Sequence, residues 1–200
     1  MRRLLWLTLA LPACAPALIL PPTAVPATEW EQPLPTPIAV PDVEPGAPAV
    51  RHDYDTAAGY TRRLVTTHSG AYTGWVQKPQ ISFFALTPGT EAPRHMPASI
   101  GLVVRTLEPT ALTGPQLILR CATVADTVPV AVHSHVAPTG NTHSHFLTYL
   151  LPTGRVAAFA RCPEGTLQLG QTSTHFTAAQ LSGIRALLLE LGATRRAGAT

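Results

Sequence analysis

The chain has 200 residues, a length that allows one ordinary domain with appendages or two small domains. It contains 14 Lys and Arg residues against 11 Asp and Glu residues, and its pI is about 9.0. The basic residues form no stripe interleaved with aromatic residues, and Arg2 and Arg3 stand at the N-terminus, apart from any domain. This distribution argues against nucleic acid as a partner.

The first fourteen residues have the features of an export signal. Arg2 and Arg3 precede a short apolar run, which cannot span a bilayer because a spanning helix needs roughly 20 apolar residues. The run ends in LPAC at positions 11–14, which resembles the lipobox of bacterial lipoproteins, with Pro12 as a departure from that pattern. The resemblance implies that residues 1–14 are a signal, that Cys14 is lipidated, and that the exported protein is anchored to a membrane surface in the cell envelope.

An ordinary signal, cleaved near Ala13 to Ala17 or near Ala27, is the alternative, and it predicts a periplasmic or extracellular protein.

Eleven of the 21 prolines fall within the first fifty residues. Because such a segment has few large apolar side chains to bury, residues 15–50 are predicted to be a disordered, Pro-rich linker that acts as a stalk.

Residues 51–193 are predicted to form one β-rich domain. Runs rich in Thr, Val, Ile and aromatic residues indicate about seven strands, among them 60–67, 72–86, 100–107, 116–124 and 166–170. Pro79 interrupts the second run, which predicts an edge position, a bulge or two strands there. Asp126 and Thr127 are predicted to form a turn, and residues 155–161 a short helix. The fold class is therefore mainly β (α+β), a single antiparallel domain that is sandwich-like or barrel-like.

The C-terminal part of this domain predicts one packed helix. Thr177 and Gln180 have the spacing of a capping box, and leucine and isoleucine recur at helical spacing after Leu181. Gly192 stands where a left-handed residue would end the helix. Residues 194–200 are predicted to be a disordered tail.

Two cysteines remain in the domain once Cys14 is assigned to the anchor. In an exported protein, Cys121 and Cys162 are predicted to form a disulfide, with two buried free thiols as the alternative.

Between these cysteines, two strand-like runs each carry a His-x-His pair and are joined by Pro138 to Asn141. A two-residue loop at Thr139-Gly140 would place the two pairs on opposite faces of the hairpin. A type I turn, with Pro138 and Thr139 central and Gly140 as a bulge, would place them together, and this turn is favoured because proline suits its first central position. Zinc or copper could then be bound by the four imidazoles, which are His133, His135, His143 and His145. Solvent-exposed polar residues without a ligand are the alternative interpretation.

No sequence signature of an enzyme is present, and the close pair Asp53 and Asp55 gives only weak support for a carboxylate dyad. The first hypothesis is therefore a non-enzymatic, exported cell-envelope protein that displays an interaction or structural domain on a stalk. Its expected partners are the membrane surface and an envelope protein or the cell wall. A secreted zinc- or copper-binding protein is the second hypothesis, and an enzyme with a spatially assembled site is the third.

Overall fold

The computed structural model describes residues 38–68, 72–73, 78–108, 116–121, 124–128 and 133–195. For residues 68, 72–73, 124–128 and 133–134 the description covers the backbone alone. The predicted signal with Cys14, the predicted linker as far as residue 37, and residues 196–200 of the predicted tail lie outside the described residues.

Most of the described chain forms strands, as its Thr-, Val- and aromatic-rich runs predict. In chain order the elements are β1 (Ala39–Val40), β2 (Arg51–Asp55), β3 (Tyr60–His68), β4 (Tyr72–Thr73), β5 (Gln80–Pro88), β6 (Ser99–Glu108), β7 (Leu117–Cys121), β8 (Val124–Val128), β9 (His133–Thr139), β10 (Thr142–Pro152), α1 (Thr153–Ala160), β11 (Gly165–Leu169), β12 (Thr172–Phe176), α2 (Ala178–Glu190) and β13 (Thr194–Arg195).

The strands form two main sheets. The large sheet has six strands in the order β2-β3-β5-β6-β10-β9, and the small sheet has five in the order β4-β12-β11-β7-β8. All strand pairs within these two sheets are antiparallel, while β1 and β13 form a separate parallel pair. Neither sheet closes on itself among the described strands, so the prediction of a mainly β, sandwich-like antiparallel domain is confirmed.

Alternate residues of the large sheet point into one core, and we call this side the inner face and the opposite side the outer face. Phe83 on β5, Leu102 on β6 and Leu147 on β10 have no exposed surface. The ring of Phe176 on β12 packs edge-on against Phe83, with 6.4 Å between the ring centroids. The small sheet therefore covers part of the inner face of the large sheet.

The predicted C-terminal helix is confirmed as α2. The hydroxyl of Thr177 accepts a hydrogen bond from the Gln180 amide N–H at 3.4 Å, and the Gln180 side chain accepts one from the Thr177 N–H at 2.7 Å. These two bonds form the expected capping box. Gly192 follows the helix with a φ of +101°, as expected for a left-handed stop. The short helix predicted at 155–161 is also present, as α1.

Residues 38–50 differ from the disordered linker predicted there, because they pack against the domain. Val40 is fully buried, and the Glu44 N–H donates to the hydroxyl of Ser182 on α2 at 2.5 Å. Arg185, also on α2 and buried, donates to the carbonyls of Asp42 at 3.4 Å and Ala160 at 2.7 Å. These residues therefore belong to the domain, whose packed region begins no later than residue 38.

Three other local predictions can be compared with the structure, and one of them agrees with it. Pro79 does separate two strands, since β4 and β5 belong to different sheets. The turn predicted at Asp126 and Thr127 is wrong, because both residues lie within β8. Thr194 and Arg195 pair with β1 and so differ from the disordered tail predicted from residue 194 onward.

Candidate functional site

The histidine hairpin forms with a turn other than the favoured one. Strands β9 and β10 pair Thr139 with Thr142, so the loop is Gly140-Asn141. Gly140 has a φ of +61°, and Asn141 has no positive φ, which fits a type II′ turn with glycine first. The predicted turn of Pro138, Thr139 and a bulged Gly140 is therefore wrong.

The position of Pro138 explains why the hairpin tolerates a proline within a strand. It lies on β9, at the edge of the large sheet, opposite His143. Because Thr139 and Thr142 close a two-residue loop as a hydrogen-bonded pair, the next pair along the ladder is a non-hydrogen-bonded one. Proline at this position leaves no ladder hydrogen bond unmade, and it removes one N–H group from the free edge.

The register also places the two histidine pairs on opposite faces. Phe146 on β10 pairs with His135, and the adjacent His145 must point to the other face because successive side chains alternate. His143 lies on the same face as His145. The backbone at position 133 is two residues from position 135 and so belongs to the same face as that position.

This alternation removes the basis of the predicted metal site. The hypothesis of a zinc or copper site required one shared face for His133, His135, His143 and His145. Within the described residues, no group of three or more His, Cys, Asp or Glu residues could hold a metal ion. The register of the hairpin thus gives no support to the four-histidine site, which stays a prediction, and the hairpin has two faces with different surroundings.

On the inner face, the hairpin contributes to a buried polar cluster. His145 is 1% exposed, and Thr106 and Glu108 on β6 are each 4% exposed. The Thr106 hydroxyl donates to Glu108 Oε1 at 2.8 Å. His143 stands opposite Glu108, and its ring centroid is 6.4 Å from that of His145. Polar groups therefore continue the inner face beyond the apolar core.

The sequence analysis missed this cluster, although the strand pattern contains a signal for it. The even positions of β6 are apolar from Ile100 to Val104, so the same face continues through Thr106 and Glu108. On β10 the odd positions are apolar from Leu147 onward, which assigns the preceding histidines to the inner face as well. Extending each alternation by two further inner-face positions would have found these buried polar groups.

The outer face of the large sheet is an open surface of mixed character. Phe146 is 37% exposed, and partly exposed apolar side chains surround the sheet centre, namely Leu64, Phe84, Leu86, Val103, Leu107 and Leu150. The ring of Phe84 lies over Gly101, where an added Cβ would come within 2.3 Å of it. Glycine at this position leaves the space that the Phe84 ring occupies.

A shallow depression of about 300 Å³ lies at one end of the outer face. The outer-face residues that line it are Lys78, Gln80, Arg105, Leu107 and Ser144. The guanidinium carbon of Arg105 lies 6.0 Å from the centroid of the Phe146 ring, at the limit of a cation–π contact. Lys78 and Arg105 are exposed, and neither has an ion-pair partner in the described part of the chain.

The two acids considered for a carboxylate dyad have other roles. The Asp53 carboxylate accepts from Arg51 at 2.8 Å and from Arg62 at 2.9 Å. The hydrogen bonds from Arg62 and Arg51 hold the pKa of Asp53 below its ordinary value. Asp55 instead accepts two backbone N–H groups in the turn after β2. Both carboxylates therefore stabilise the edge of the sheet.

One inner-face group has a strongly shifted pKa. Tyr149 on β10 is fully buried, and burial raises the pKa of its phenol well above the ordinary value because the charged form is disfavoured in the core. The phenol therefore stays protonated and serves as part of the core.

The predicted disulfide between Cys121 and Cys162 is confirmed. It joins the end of β7 to the segment that follows α1, with 6.2 Å between the Cα atoms and a sequence separation of 41. The Cys162 carbonyl also accepts a hydrogen bond from buried Arg185 at 3.2 Å. The disulfide therefore encloses the hairpin and α1 in one covalent loop.

Comparison of the chain with protein-family models, curated proteins and solved structures found no match. Neither α1 nor α2 has the length and apolarity that would let it cross a membrane, and the same holds for the whole described part of the chain. The fold and the surface therefore define the class of molecule as a two-sheet, sandwich-like β domain with one disulfide.

Proposed function

We propose that this protein is an exported, lipid-anchored cell-envelope protein whose sandwich-like domain binds a partner rather than catalysing a reaction. The disulfide between Cys121 and Cys162 carries this proposal. Structural disulfides belong to oxidising compartments outside the cytosol. Two of the three cysteines are thereby assigned, and Cys14 remains at the end of the apolar N-terminal run.

The anchor is supported by the N-terminal sequence. Arg2 and Arg3, the apolar run and Cys14 follow one another in the order of a lipoprotein signal. A single acyl chain gives only marginal membrane binding, so the several chains of a lipoprotein anchor are needed for stable attachment. The Pro-rich residues 15–37 would then act as a spacer, which reaches about 3.1 Å per residue when extended.

Binding rather than catalysis is supported by the outer face. This face combines partly exposed apolar side chains with cations that have no ion-pair partner in the described chain. An open surface of this composition suits contact with another molecule. The buried polar cluster of Thr106, Glu108 and His145 lies on the inner face, where it is withdrawn from solvent.

Detergent phase partition of the full chain after expression in a bacterium tests the anchor. The unchanged chain should enter the detergent phase and incorporate labelled palmitate, and Cys14→Ser should move to the aqueous phase without label. Pro12→Ala is the matched control, because it keeps the cysteine and should keep both properties. A Cys14→Ser protein that still partitions with membranes would rule out the lipoprotein assignment.

A further inference from the structure

A line of four side chains crosses the outer face at the depression that Arg105 lines. In the register of the large sheet, Gln80 on β5 pairs with Arg105 on β6, Arg105 pairs with Phe146 on β10, and Phe146 pairs with His135 on β9. We call these four residues the Arg105 row. Neighbouring strands are about 4.8 Å apart, so the row is an extended line of polar and aromatic groups across four strands.

The Arg105 row has an uncompensated positive charge. Lys78 and Arg105 line the same depression, and neither forms an ion pair with a described residue. Asp53, on β2 at the opposite edge of the sheet, is already held by two arginines, and Glu108 belongs to the inner face. Charge complementarity therefore favours an anionic ligand at this end of the outer face.

The side chains of the row favour a particular anion. An arginine guanidinium matches the geometry of a carboxylate with two parallel hydrogen bonds. Gln80 and Ser144 add neutral hydrogen-bonding groups beside Arg105. Phe146 is 37% exposed and offers an apolar ring next to the guanidinium. Carboxylate, hydroxyl groups and a flat apolar face occur together in acidic sugars.

We infer that the Arg105 row binds a carboxylate-bearing glycan, with Arg105 on the carboxylate and Phe146 against a sugar ring. This inference rests on the proposed function, because an exported envelope protein meets glycans at the cell surface. Single-stranded nucleic acid is disfavoured, since it uses a longer series of stacking aromatic rings, and the row offers only Phe146 and the imidazole of His135. The glycan would lie across the strands, along the row.

Affinity electrophoresis of the full-length chain in detergent tests the inference, with polygalacturonate in the gel as the probe. The polymer should retard the protein, and dextran, which has no carboxylate, should not. Arg105→Gln should weaken retardation about tenfold, because a charge-assisted bidentate contact is lost. Phe146→Ser should weaken it several-fold. Arg120→Gln is the matched control, since Arg120 is exposed on the small sheet and loses the same charge.

Three outcomes would overturn the inference. The first is no retardation by polygalacturonate, and the second is equal weakening by Arg105→Gln and Arg120→Gln, which would indicate general charge attraction. The third is equal retardation by methyl-esterified polygalacturonate, dextran sulfate or single-stranded DNA, since each of these lacks the free carboxylate. Failure of these binding tests leaves the partition result for Cys14→Ser unaffected, so the inference and the proposed anchor fail separately.

Discussion

On β5, Phe83 and Phe84 are consecutive residues that lie on opposite faces of the large sheet. Phe83 has no exposed surface and packs against the ring of Phe176. Phe84 is partly exposed and rests on Gly101. The comparison teaches that one alternating strand supplies the core from one side and an accessible surface from the other.

The arginines of the two faces also differ, both in burial and in whether they have a partner within the fold. Arg63 is buried on the inner side of β3 and donates to the hydroxyl of Thr87 and to the carbonyl of Glu91. Arg105 on the outer face is exposed and has no ion-pair partner among the described residues. A buried guanidinium must be satisfied within the fold, whereas an exposed one can bind another molecule.

The largest expected difference between the faces is in stability. Phe83→Ala removes a fully buried ring and should lower the free energy of unfolding by about 3–5 kcal/mol. Phe146→Ala, the matched change on the outer face, should cost about 1 kcal/mol or less because the ring is already partly in water. Urea denaturation followed by circular dichroism measures both values. Equal losses would contradict the division between the two faces.

Removal of the disulfide tests how firmly the small sheet, which covers part of the inner face, is held in place. Replacing Cys121 and Cys162 together by serine should lower the free energy of unfolding by about 2–4 kcal/mol, because the unfolded chain gains the entropy of an open loop. Reduction of the unchanged protein should give a similar loss, and alkylation without reductant should label neither cysteine. Labelling of both thiols in the oxidised protein would show that the bridge is absent.

Gly101→Ala tests the close contact between Phe84 and Gly101 on the outer face. The new Cβ would lie 2.3 Å from the Phe84 ring, so the ring must move away. We expect a loss of about 1–3 kcal/mol in the free energy of unfolding, as for other overpacked sites. Adding Phe84→Ala should recover part of that loss, since the clashing group is then absent. Strictly additive losses in the double variant would mean that the two residues do not interact.

The smallest effect should come from the outer-face ion pairs of Asp53. The pKa of Asp53 is lowered in the folded state, so its ion pairs contribute stability at a pH above the ordinary pKa of 3.8. This stability is lost as the pH falls through the folded-state pKa. Asp53→Asn should therefore be less stable than the unchanged protein near neutral pH, and the difference should vanish in strong acid. Thermal unfolding between pH 2 and pH 7 measures it. A difference that grows in acid would contradict the assigned sign.

The fold class was predictable from local sequence patterns, and the elements that those patterns indicate are present in the structure. Capping by Thr177 and Gln180, the stop at Gly192 and the cysteine pair were all predictable, because each depends on residue type and spacing within a short range or on the compartment. The hairpin register was not. The choice between turns depended on whether Pro138 stood in a turn or at a strand edge, and only the pairing of the neighbouring strands decides that.

The candidate site was harder to predict than the fold. Arg105 and Phe146 are 41 residues apart in the chain, and they meet only because β6 and β10 are neighbours in the large sheet. The alternation of buried residues from Leu147 to Leu151 places Phe146 on the outer face. Strand order, which sequence patterns do not encode locally, therefore determines this surface.

The separation of stability from binding is tested most directly by one variant measured in two ways. Arg105→Gln should keep the urea midpoint of the unchanged protein, because the side chain is exposed and unpaired in the described structure. In the same preparation, retardation by polygalacturonate should weaken about tenfold. Unchanged retardation, or a fall in the midpoint as large as that caused by Phe83→Ala, would contradict the assignment of the outer face to binding.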